Sequence, residues 1–123
     1  MKKSLFVVLT LMAVSLMVAA PALAKRPSGD ECAHDVATVA ALRECVEHAI
    51  HHGHIDDPEV AKSLLALLDA AQDAVDRGQE DVAVDILRAF IQEVKAQAGK
   101  HIAEPHASHL IEHAQIVIRA LSE

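Results

Sequence analysis

From residue 36 to the C-terminus apolar residues return at helical intervals, and no stretch shows the strict alternation of a half-buried strand. Val39, Leu42, Val46, Ala49 and Ile50 recur at i, i+3, i+7, i+10 and i+11, which predicts a helix from about Val36 to His52, ended by Gly53. Asp57 followed by Pro58 is a start signal, a capping side chain before a proline whose fixed φ suits the first turn. The second helix then runs to about Arg77 with Val60, Leu64, Leu67, Leu68, Ala71 and Val75 on one face and Gly78 as its stop, while Leu65 widens the stripe. A third segment, about Gln79 to Ala98, carries Ala83, Ile86, Leu87, Phe90, Ile91 and Val94 before Gly99. The fourth begins near Pro105, with Glu104 in the capping place, and carries Leu110, Ile111, Ala114, Val117, Ile118 and Leu121. Loops this short force consecutive helices to pack side by side in opposite directions. The pattern therefore predicts an all-α fold, a small antiparallel four-helix bundle.

The first residues follow another logic. Lys2 and Lys3 precede an apolar run from Leu5 to Ala20, and Pro21-Ala22-Leu23-Ala24 has the small-residue pattern of a processing site. The run is shorter than the roughly 20 apolar residues that cross a bilayer and contains Thr10 and Ser15. Residues 1–24 are therefore read as a signal peptide removed after Ala24, 25–35 as a flexible lead-in holding Pro27 and Gly29, and 36–123 as the helical domain. The protein is expected in the periplasm or the medium, standing alone behind its own signal peptide.

Processing changes the charge. Of 11 basic residues, loss of Lys2 and Lys3 leaves nine against 18 acidic ones, a formal net charge of −9. No cluster of Lys or Arg offsets it, so phosphate backbones and anionic membrane surfaces are repelled, and neither nucleic acid nor membrane is expected as a partner of the processed chain. Phe90 is the one aromatic residue beyond the signal segment, which leaves no ring platform for stacking on sugars.

Cys32 and Cys45 would lie in an oxidising compartment, where disulfides persist. On one continuous helix the two would be roughly 20 Å apart, beyond the reach of a bridge. A Cys32–Cys45 disulfide therefore requires the helix to start after Cys32, around Asp35 to Thr38, with residues 29–34 folding back along it.

The nine histidines raise the question of a site. His48, His51, His52 and His54 surround the first joint, His101, His106, His109 and His113 the start of the last helix, and His34 stands alone. His48 with His52, and His109 with His113, have the i, i+4 spacing that lets two imidazoles on one helical face share a metal, and His106 lies on the second stripe. A helical wheel sets His106, His109 and His113 beside the apolar face and turns His48 away from its own. The candidate metal ligands are thus His109, His113, His106, His48 and His52, with Asp56, Asp57 or Glu112 to complete a shell and Zn²⁺ or Cu²⁺ as the ion. No H-E-x-x-H or C-x-x-C motif supports them, so the preferred reading is helix-end and solvated histidines with no cofactor. Of "HHGHIDDP", residues 51–58, all but His54 have a place in a helix-to-helix joint. Ser63 and Ser108 lack a nucleophile-elbow glycine pattern and no enzyme is expected; Asp69, Asp73, Asp76, Glu80, Asp81 and Asp85 lack calcium-loop spacing and read as solvated faces.

The order "VAALRECVEHAIHHGHI", "AKSLLALLDAAQDAVDRGQEDVAVDILRAFIQEVKAQAGKHI" and "ASHLIEHAQIVI" resembles the FIMAH-type helical domain, a C-terminal module of secreted bacterial hydrolases and other extracellular proteins. The likeness rests on Ser63-Leu64-Leu65 with Leu68 and Ala71, the Arg77-Gly78 turn, and Leu87 through Phe90-Ile91 to Val94. It implies a non-catalytic accessory role without an agreed ligand; taken with the full-length bundle pattern, the expectation is an exported domain that binds a protein or cell-envelope partner. The cysteine pair and the histidines are not part of that likeness.

Overall fold

The computed structural model describes residues 32–123. The signal segment 1–24 and lead-in residues 25–31 lie outside the described residues. Four helices follow in order: α1 (Val39–His51), α2 (Pro58–Asp76), α3 (Glu80–Gln97) and α4 (Glu104–Ser122). Each packs against its neighbours in the chain, and α1 closes the circuit against α4.

The ends of the helices show which local signals won. α1 starts three residues later than the periodicity suggests, because Thr38 is extended and its hydroxyl accepts from the Ala41 N–H at 3.1 Å. That oxygen satisfies an amide the helix leaves orphaned, and Val36 stays outside. Asp57 caps α2 as expected, accepting from Glu59 N–H at 2.8 Å ahead of Pro58. At the far end of α1, Gly53 adopts φ +77°, its N–H donates to the Ile50 carbonyl (3.1 Å) and the His54 N–H to that of Ala49 (2.8 Å). This paired closure satisfies two free carbonyls and needs a left-handed residue at its centre. α3 ends differently, with the Gln97 carbonyl accepting from Lys100, His101 and Ile102. α4 begins on Glu104 itself, so the cap position falls to Ala103, which offers no side-chain bond.

The core is aliphatic around one ring: Leu42, Val46, Leu64, Leu68, Leu87, Phe90, Val94 and Val117 are all fully buried. Loop residues Ile55 and Ile102 join them. These two pair as an isolated antiparallel bridge, flanked by Asp56 N–H to His101 carbonyl (3.0 Å) and Ala103 N–H to His54 carbonyl (2.9 Å). The α1–α2 and α3–α4 loops are thereby sewn together at one end of the bundle. Cys32 and Cys45 form the expected disulfide, with Cα atoms 5.0 Å apart. It ties the segment before α1 to that helix. The acidic faces of α2 and α3 are exposed as anticipated, with Asp69 meeting Arg43 across the helix pair at 2.8 Å.

Candidate functional site

The loop bridge decides where the histidines meet. It fixes His54 against Ala103, the cap residue of α4 three before His106, and the rings of His54 and His106 stack with centroids 3.6 Å apart. His52, the residue after α1, lies 4.3 Å from His48 one turn back and 6.2 Å from His54. His106 in turn approaches His109 at 6.4 Å, and His109 stacks on His34 at 5.9 Å. Two groups that are separate in the sequence thus form one run of imidazoles across the seam of α1 and α4. His54, which had no structural reason in the sequence, is the residue that joins them.

Beneath the run lies a recess of about 210 Å³, lined by the Cys32–Cys45 bridge, Ala49, Leu110, His34, His48, His106, His109 and His113. His48 is therefore not turned out to solvent as the wheel suggests; it is half-buried because α4 covers its side of α1. His113 goes deeper, at 1% exposure, and is the one buried polar side chain among the described residues. Its Nε2–H donates to the Val36 carbonyl at 2.7 Å, leaving Nδ1 as an acceptor without a partner. Burial holds its pKa below the ordinary histidine range, helped by His34 and opposed by the Val36 bond and Asp35. His106 is likewise lowered, first by desolvation and then by the neighbouring charges of His54, His109 and His48. Both rings are thus kept neutral near pH 7.

The expected His109–His113 pair is divided between two tasks, since His113 bonds the segment before α1 while exposed His109 stacks on His34. His101 leaves the group altogether, with Nδ1 2.9 Å from Asp56 and Nε2 3.6 Å from Asp57. That pairing also occupies the two aspartates expected to complete a metal shell. Among the described residues no three donors already converge as metal ligands. A second, wider groove of about 600 Å³ lies between α1 and α2, with Ile50, Ile55, Ala61 and Leu65 in its floor and Arg43 and Lys62 among its lining.

The model of the FIMAH domain matches residues 39–119, which is α1 through nearly all of α4. The chain belongs to the FIMAH domain family. The match takes in Leu64, Leu68, Leu87, Phe90 and Val94 of the core, the loop bridge and eight of the nine histidines, all but His34. Cys32 and His34 lie outside it. Comparisons with curated proteins and with solved structures return no match. Family membership makes this FIMAH chain a helical accessory domain. The disulfide is compatible with a protein that leaves the cytoplasm, and none of the described helices is long and apolar enough to cross a membrane.

Proposed function

We propose that the protein is exported and works as a non-catalytic accessory domain that holds a protein partner or a component of the cell envelope. The observation that carries this reading is the family match, which extends over almost the whole helical domain. The charged and apolar start of the chain and the Cys32–Cys45 bridge supply the route, a signal peptide and an oxidising destination. A binding role rather than a catalytic one agrees with the recess. Its lining offers imidazoles, a closed disulfide and aliphatic carbons, with no hydroxyl or thiol to serve as nucleophile.

A photo-reactive side chain placed in turn at Lys62, Arg88 and Ser108, on three different helices, tests the reading in the producing cell. The expected result is a protein beginning at Lys25 in the exported fraction, cross-linked from one of these faces to a single recurrent component. A full-length chain retained in the cytoplasm with reduced cysteines, or no adduct from any face, would contradict it.

A further inference from the structure

We propose that the recess at the α1–α4 seam is a binding site for a small phenol, its ring seated among the aliphatic and imidazole walls and its hydroxyl donating to His113 Nδ1. This goes beyond the accessory role and does not rest on it. The lining is graded with depth. His34 and His109 are exposed, His48 and His106 are half-buried, and Cys45, Ala49, Leu110 and His113 are buried. Of the buried four, His113 alone carries a side-chain nitrogen, and its Nδ1 is the one buried side-chain polar atom among the described residues with no partner. An acceptor buried without a donor is costly, so a guest that supplies one gains more than the contact of its carbons.

Proton placement selects the chemistry. The Val36 carbonyl can only accept, so it fixes the proton of His113 on Nε2 and leaves Nδ1 with a lone pair, and burial keeps the ring neutral near pH 7. Val36 lies outside the lining of the recess, so that bond occupies the nitrogen directed at the segment before α1 and leaves the other for a guest. The guest must therefore donate. A carboxylate fails twice, because it only accepts and because it loses hydration among Ala49, Leu110 and the Cys32–Cys45 bridge. A phenol has a pKa of about 10 and keeps the proton it must give. Size agrees: an apolar cavity of about 150 Å³ is filled by benzene, and this recess of about 210 Å³ has room for the same ring with a hydroxyl and a methyl group besides. A flat ring also stacks on or meets the imidazoles edge-on, and it has fewer torsions to freeze than an alkyl alcohol of equal volume.

The test is NMR titration of the disulfide-bonded protein, with isotope-labelled histidine, against phenol, anisole and benzoate at pH 7.5. The expected result is one saturable phenol site with a Kd of about 1 mM or tighter. The His113 Nδ1 resonance should move upfield with it, the sign of a nitrogen that has begun to accept a hydrogen bond. Anisole keeps the ring and adds a methyl carbon, so burial alone would make it the tighter ligand. Loss of the one hydrogen bond should instead leave it about fivefold or more weaker, and benzoate should not saturate the site. His113→Leu should abolish the preference for phenol over anisole, and His101→Ala should keep it. Should His113→Leu fail to fold, the order of phenol and anisole on the parent protein decides by itself. Anisole binding as tightly as phenol, a His113 Nδ1 resonance that phenol leaves in place, or shifts that climb without saturation would each overturn the proposal.

Discussion

Opening the Cys32–Cys45 bridge is the perturbation with the best-defined size. The two cysteines are 13 residues apart, and closing a loop of that length in the unfolded chain is worth about 3 kcal/mol. Few other contacts hold residues 32–38 to the bundle: the His113 bond to Val36 and the His34–His109 stack are the principal ones. Reduction leaves both sulfurs in the chain, so it isolates loop closure. Cys32→Ser with Cys45→Ala also removes the sulfur of Cys45, a residue 3% exposed, adding about 1 kcal/mol for the space left behind. A domain of this size melts about 4–8 °C lower for each kcal/mol lost. Thermal melting followed by circular dichroism should therefore show a fall of about 12–24 °C on reduction and somewhat more for the double variant. Loss of the His34–His109 ring contact by NMR should accompany it. A drop of under about 4 °C would refute the reasoning, because it would mean the segment is held as firmly without the bridge.

Three further outcomes follow from individual side chains. His113 is neutral in the fold with its pKa lowered by burial, so the unfolded chain, titrating near 6.5, takes up its proton first as pH falls. Stability is then complete above that value and declines below it; His113→Leu should stay within about 1 kcal/mol of the parent at pH 7.5 and lose less by pH 5 in urea melts. Gly53→Ala meets open space but must keep φ +77°, so chemical denaturation should show a loss of about 1–2 kcal/mol from backbone strain alone. Arg43→Met breaks the exposed pairs with Asp69 and Glu47, and its effect should stay under about 1 kcal/mol and shrink in high salt.

Helix number, order and most boundaries were legible because they depend on local chemistry. Asp57-Pro58 starts α2 and Gly53 and Gly78 stop their helices through bonds made within a few residues. Thr38 shifted the start of α1 because periodicity alone places the apolar face and not the cap, while the hydroxyl's reach to Ala41 decides the end. The histidine cluster was legible only in its parts. A helical wheel describes one helix, so it turned His48 outward without knowing that α4 covers that side. The contact depends on the bridge between Ile55 and Ile102, 47 residues apart in the chain, which no periodic pattern records. Their signal was only that both are apolar residues in otherwise polar loops. The role of His113 was hidden likewise, since its partner is a backbone carbonyl of the segment folded back by the disulfide.

Two sequence-distant groups of histidines form one cluster across the α1–α4 seam. Histidine-selective NMR measures this directly, through contacts between the ring protons of His54 and His106 and through the titration of His106 with and without its neighbour. The expected result is cross-peaks between the two rings, a His106 midpoint below the ordinary histidine range, and a rise in that midpoint in His54→Ala. Rings without cross-peaks, and a His106 that titrates at the ordinary value regardless of His54, would contradict it.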